Sequence, residues 1–191
     1  MTATRPAPDA DAVVSEVRDL FTRFGGESYG EDVTQLEHAV QVGLLAEAAG
    51  GPDEWVVAAF LHDIGHLCAP DAEKIGDFGR HCHDTNGGAW ARSRGFPEIV
   101  ARLIENHVAA KRYLVATDSA YARRLSHASQ TTLAHQGGPM NEVEIAAFER
   151  DELLDLHIRL RHWDEAGKDD TADLRDLDRF LVKIRQLLAR P

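Results

Sequence analysis

An adjacent histidine–aspartate pair, His62-Asp63, closes the apolar stretch Val56 to Leu61 and is followed one helical turn later by His66, which that spacing places on the same face as His62. Successive helical side chains point about 100° apart. One small ion can hardly take both members of the pair, whereas two ions a few ångströms apart can, with the carboxylate bridging them and the imidazole on one. Alone, the pair could be no more than a hydrogen bond at a helix end. Four further groups of metal-ligating type, His38, His83, His107 and Asp164, also fall in helical contexts. Two of them have bland readings: His38 as a core histidine bonded to a carbonyl, Asp164 as an i,i+3 ion pair with Arg161. Buried ionisable groups are costly unless paired or metal-bound, so one two-metal centre accounts for all six more economically than six separate explanations. Nitrogen and oxygen donors without a thiolate suit iron, manganese or zinc. Two such ions could activate a bridging water for phosphoester hydrolysis; two irons could instead bind dioxygen.

Helices must position these groups. Val13, Val14, Val17, Leu20, Phe21 and Phe24 space a first helix that Gly25-Gly26 ends. After a polar loop carrying Ser28, Tyr29 and Glu31, a helix over about 33–49 places His38 on an otherwise apolar face. Pro52 opens the buried helix that ends at the histidine–aspartate pair. Residues 67–80 read as a loop, and His81 and His83 open a helix whose small pair Gly87-Gly88 permits close approach of another helix. Ile99 to Val108 keep helical spacing with His107 inward, and Lys111 beyond it reads by itself as a solvated charge. Single helices are expected over 119–133, holding Ser129, and over 140–163. A polar linker, 167–171, precedes an amphipathic closing helix from Leu174 to Leu188. No stretch alternates as a strand would. The expected fold is all-α: one bundle of roughly seven to nine helices over 12–191, with residues 1–11 a frayed terminus.

Composition excludes several classes of function. The 191 residues carry a formal charge of -11, which argues against a nucleic-acid surface and against an anionic membrane partner. No run is long and apolar enough to span a bilayer. Two cysteines, Cys68 and Cys82, make neither a disulfide framework nor a zinc spacing. A cytoplasmic protein is expected.

The order His38, His62-Asp63, His83, His107, Asp164 resembles the HD-domain superfamily in its six-ligand, dinuclear form. The flanking stretches narrow the likeness: Gly30-Glu31, Gln35 to His38, Leu61 to His66, His107 to Leu114, Gln136 to Met140 and Trp163 to Glu165 resemble the HD-domain phosphonate oxygenases. It covers about residues 28–168. It implies a mixed-valence Fe(II)/Fe(III) centre that uses O2 to cleave the carbon–phosphorus bond of a small anionic phosphonate. That substrate would be 1-hydroxy-2-aminoethylphosphonate or its trimethylammonio analogue, giving glycine or glycine betaine and phosphate. His38, His62, Asp63 and Asp164 would bind one iron, His83 and His107 the other, and Asp63 would bridge. His66, Lys111, Ser129 and Arg161 match phosphonate-holding positions. Glu31 matches a lid glutamate that would face the cationic tail. The family's lid tyrosine lies three residues before that glutamate, where this chain has Ser28, so Tyr29 becomes the candidate lid aromatic. The alternative on the same fold is a metal-dependent phosphohydrolase acting on a small phosphoester.

Overall fold

A computed structural model describes residues 9–170 and 175–190. Its order is α1 (Ala10–Phe24), α2 (Gln35–Ala48), α3 (Asp53–Leu61), α4 (Ile64–Cys68), α5 (His83–Ser93), α6 (Glu98–Thr117), α7 (Ser119–Arg124), α8 (His127–His135), α9 (Glu142–Phe148), α10 (Leu154–Ala166) and α11 (Leu177–Leu188). The bundle is all-helical, as expected. Among the described residues the extended pairing is a lone antiparallel bridge, Lys74 to Arg80. Among the described residues the two helices beyond nine are the short elements α4, of five residues, and α7, of six.

The apolar run before the histidine–aspartate pair becomes the centre of the molecule. Val56 through Leu61 are buried without exception, because α3 is enclosed by α2, α6, α10 and α11. Phe60 stacks flat on Phe180 of α11 at 4.4 Å between ring centres and meets Phe21 of α1 at 5.0 Å. The helices carrying His38, His62 and His107 thus pack on one rigid core, and their imidazoles converge at one end of it.

The chain departs from expectation where polar side chains compete for the backbone. The helix expected over 119–133 breaks at Leu125, whose ψ is 134°, because Ser126 caps α8 by accepting the Ser129 N–H at 3.1 Å. The helix expected over 140–163 divides at Asp151. That carboxylate accepts the Leu153 N–H at 2.8 Å and pairs with Arg102 of α6 at 2.6 Å, which favours a turn over helix continuation. At the start, Asp9 caps a helix from Ala10, so the first element begins inside the residues expected to fray; residues 1–8 lie outside those described, as do Leu174 and Thr171.

Small residues set the closeness of α4 and α5 to their neighbours. A Cβ on Gly87 would lie 2.8 Å from Ile104 and one on Gly88 2.8 Å from Glu105, so α5 lies against α6 as the small pair suggested. Gly65 is tighter: its Cβ would sit 1.8 Å from the carbonyl oxygen of His83. Relief would require moving the backbone that presents His83. Gly65→Ala is expected to cost about 3 kcal/mol or more of stability, beyond ordinary overpacking. Urea denaturation reads this; an unchanged midpoint would mean that α4 can slide freely on α5.

Candidate metal centre and its anion pocket

The helix of His62-Asp63 does not run through the pair. It stops at Leu61, turns through Asp63 (φ -98°, ψ 10°), and restarts at Ile64. His62 and His66 therefore do not share a face as an unbroken helix would have it. His62 turns to α2 and α10, while the His66 ring stacks on His83 at 4.0 Å.

Six side chains meet at this break. The Nε2 atoms of His38 and His62 lie 3.2 Å apart, with Asp164 Oδ1 3.3 Å from the first and 3.8 Å from the second. The Nε2 atoms of His83 and His107 lie 3.0 Å apart. Asp63 stands between the pairs. Its Oδ2 is 3.5 Å from His62 and 3.9 Å from His38, and its Oδ1 is 3.5 Å from His83 and 3.4 Å from His107. Such spacings match the edges of coordination shells with bonds of about 2.0–2.2 Å. One carboxylate presenting an oxygen to each pair is the geometry of a bridge.

The backbone decides which nitrogen each ring offers. Nδ1 of His38 donates to the Gly167 carbonyl at 2.8 Å, His62 to Ala59 at 2.8 Å, His83 to Arg80 at 3.1 Å and His107 to Ile104 at 2.6 Å. Each ring is held with its proton on Nδ1 and the Nε2 lone pair turned inward, the arrangement a metal-binding imidazole requires. His66 is the opposite. Its Nδ1 accepts the Arg80 backbone N–H at 3.0 Å, so Nε2 carries the ring proton and can only donate. Asp63, His66 and His83 are close enough to form a three-residue ligand group, but this tautomer removes His66 from it. One residue, Arg80, thus fixes two neighbouring histidines in opposite states. Its buried guanidinium donates to the carbonyls of His66, Pro70 and Ala72.

Electrostatics agree with a cation site. Burial pushes both Asp63 and Asp164 up, but neighbouring charge prevails and holds them well below the usual carboxylate range: His62 and His107 for Asp63, Arg161 and His62 for Asp164. Burial pushes His38 and His107 down, yet the hydrogen bonds that the protonated rings donate to Asp164 and Asp63 respectively outweigh it and raise both. An incoming metal ion must displace those protons. Metal uptake is accordingly expected to release protons, and to strengthen as pH climbs past the ordinary histidine range. Calorimetric titration in buffers of differing ionisation enthalpy measures this, and binding without proton release would mean that the rings are already neutral.

Beside the six groups a cavity of about 70 Å³ is lined by Lys111, Ser129, Arg161, His66 and Lys168. Lys111 is 4 % exposed, so it is no solvated charge; its Nζ donates to Thr132 Oγ1 at 3.1 Å. Burial, then Arg161, push its pKa down to about 7. Arg161 is likewise buried, bonded to Tyr121 Oη at 2.6 Å and Ser129 Oγ at 3.2 Å, and paired with Asp164 and Glu165.

The lid residues are placed differently from one another. Tyr29 lays its ring on His66, 4.8 Å between centres, but turns its hydroxyl back to Glu27 at 3.0 Å. Burial, then Glu27, push that hydroxyl up to about 12, so it is a neutral phenol directed away from the imidazoles. Glu31 lines the cavity, with Oε1 accepting from Ser126 Oγ at 2.7 Å and Lys168 Nζ at 2.9 Å. Sequence reasoning missed Lys168, Ser126, Tyr121 and Arg80. Lys168 carried one signal, its position one helical turn beyond Asp164; Arg80 carried none, since its role depends on its main chain.

A helical bundle whose histidine–aspartate pair sits at a helix break, with further imidazoles and a carboxylate converging on it, defines an HD-domain protein with a buried metal-ligand set. The HD domain family model matches residues 36–142, and the chain belongs to that family. Among its relatives is the 1-hydroxy-2-(trimethylamino)ethylphosphonate dioxygenase of Leisingera caerulea, which forms glycine betaine, 38% identical over 92% of this chain and 90% of that one. The hydroxymethylphosphonate dioxygenase of Gimesia maris is 34% identical over 92% of this chain and 88% of its own. An uncharacterized protein of Acanthamoeba polyphaga mimivirus is 38% identical over 87% and 78%. Among the described residues no helix is long and apolar enough to cross a membrane.

Proposed function

We propose that this protein is a di-iron oxygenase that cleaves the carbon–phosphorus bond of a small 1-hydroxyalkylphosphonate, yielding a carboxylate and phosphate. One observation carries the reading: a pocket of buried cations and hydrogen-bond donors opens directly onto ligands that one carboxylate divides into two sets. His38, His62 and Asp164 would hold one ion, His83 and His107 the other, and Asp63 both. The residues fit such a centre, since four Nε2 lone pairs and two ionised carboxylates are presented with no thiolate among them. When bound, the iron pair would supply the binding and reduction of dioxygen.

The chain's own residues bind and orient. Lys111 and Arg161 neutralise the phosphonate dianion, Arg161 through the one N–H that Tyr121, Ser129, Asp164 and Glu165 leave unengaged. Ser129 Oγ and the Nε2–H of His66 donate to it. The phosphonate is thereby anchored with its hydroxyl-bearing carbon turned to the Asp63 side of the pocket. The stoichiometry closes: R–CH(OH)–PO3H2 and O2 contain the atoms of R–COOH and H3PO4, the carbon being oxidised and dioxygen reduced. The two named relatives act on hydroxyphosphonates that differ in their tails, which fits a shared head-group site.

Anaerobically iron-loaded protein, mixed with a 1-hydroxyphosphonate and then dioxygen, is expected to release phosphate one-for-one with dioxygen consumed. Phosphate release from phosphoesters without dioxygen would replace this reading with the hydrolase.

A further inference from the structure

Glu31 was expected to face a cationic substrate tail, and the structure brings another cation to it. Of the carboxylates lining the cavity among the described residues, Asp63 and Asp164 are turned to the imidazoles, leaving Glu31 to face the remaining space. Its Oε1 accepts from Lys168 Nζ at 2.9 Å. That ammonium also donates to Ser126 Oγ at 3.0 Å and Ser129 Oγ at 3.2 Å, and reaches Glu165 at 3.5 Å. Lys168 cannot swing away cheaply. Its side chain is 14% exposed, and it directly follows Gly167, whose carbonyl holds His38.

We propose that Lys168 is the specificity-determining residue for the substrate tail. As the built-in counter-cation of Glu31 it makes the tail subsite electrically neutral, so the preferred substrate is a 1-hydroxyphosphonate with a small uncharged tail. This rests on the phosphonate reading above. A substrate ammonium entering here would meet a carboxylate already paired, with Lys168, Lys111 and Arg161 repelling it. The rest of the subsite suits an uncharged group. Val33, Phe78 and Ala128 line the cavity, and Gly30, beside Glu31, lies so close to Phe78 that a Cβ there would come within 2.3 Å of its ring. The hydroxyl of Tyr29, the other aromatic wall, is engaged by Glu27.

The test uses two isosteric, unreactive phosphonates, propylphosphonate and 2-aminoethylphosphonate, which differ by a methyl against an ammonium. Calorimetry on iron-loaded, anaerobic protein is expected to show wild type binding propylphosphonate at least about tenfold more tightly. Lys168→Met, which keeps the length and removes the charge, is expected to move that ratio at least about tenfold toward the ammonium, with metal content and circular dichroism unchanged. Glu31→Gln leaves Lys168 only the more distant Glu165, 3.5 Å away, and is expected to weaken 2-aminoethylphosphonate further. Wild type preferring the ammonium overturns the proposal, as does an unmoved ratio in Lys168→Met. If both analogues bind with the ratio unmoved, the assignment to Lys168 falls alone. If neither binds and no hydroxyphosphonate yields phosphate, it falls together with the phosphonate reading.

Discussion

Asp63→Ala is expected to strip the centre of one or both of its metal ions while leaving the bundle folded. Asp63 presents an oxygen to each imidazole pair, one 3.4–3.5 Å from His83 and His107 and the other 3.5–3.9 Å from His62 and His38. Removing it takes a ligand from each ion and the negative charge that lets two cations lie close together. His83 and His107 would be left as a two-imidazole site with no carboxylate, too few ligands for tight binding. Metal analysis of the variant is expected to fall from about two ions per chain to about one or fewer, with turnover down by at least about a thousandfold. The fold should survive, because Asp63 sits in a turn, is 21% exposed at its side chain, and caps no helix by a side-chain bond. Far-ultraviolet circular dichroism checks this. A variant that keeps two ions would show that Asp63 is not the bridge.

Lys111→Met should produce the second large effect, with opposite signs in binding and stability. The ammonium is almost fully buried, its hydrogen-bond partner is a neutral hydroxyl, and burial with Arg161 pushes its pKa down to about 7. A buried cation beside another cation serves an anion that arrives later. Removing it is expected to raise the substrate KM by about a hundredfold, the typical cost of deleting one partner of a desolvated charge pair, with metal content unchanged.

Stability should move the other way. A lysine whose folded pKa lies below its unfolded value burdens the folded state wherever it is charged. That burden is fully present below about pH 7 and is relieved as pH rises from there toward the unfolded pKa of about 10.4, because the unfolded chain then holds more protons. Lys111→Met should therefore raise the melting temperature by about 4 °C or more near pH 6, and the gain should shrink in alkaline buffer. Unchanged kinetics with unchanged stability would mean that Lys111 is an ordinary structural residue. The same reasoning makes Arg161 a poorer probe: it pairs with Asp164 and Glu165, so its removal would leave buried carboxylates uncompensated.

Much of this molecule was legible in the chain. Helical spacing of apolar residues marked the core-facing sides of α1, α2, α3, α6 and α11, because a 3.6-residue period is a local property that burial merely uses. The metal-ligand candidates were legible for a related reason. His38 and His107 interrupt apolar faces, and a polar group there must have a purpose or a partner. The close approach at Gly87-Gly88 could be read from residue size alone.

What the sequence could not decide depended on groups distant in the chain. The breaks at Leu125 and Asp151 follow from a cap and from an ion pair with Arg102, which compete with helix continuation only once α6 and α8 are in place. The turn at His62-Asp63 sends His62 and His66 to different tasks, though their spacing alone suggested a shared face. The tautomer of each ring is set by the carbonyls of Gly167, Ala59, Arg80 and Ile104 and by the Arg80 N–H. Main-chain groups carry no residue identity, so these roles leave no mark in the sequence. The charge state of the tail subsite was decided the same way. Glu31 and Lys168 are 137 residues apart, and only the packing of the loop before α2 against the end of α10 makes them a pair. Residue types determined which chemistry was available; the tertiary structure determined which atoms face one another, and hence which nitrogen binds, which donates, and which carboxylate is already satisfied.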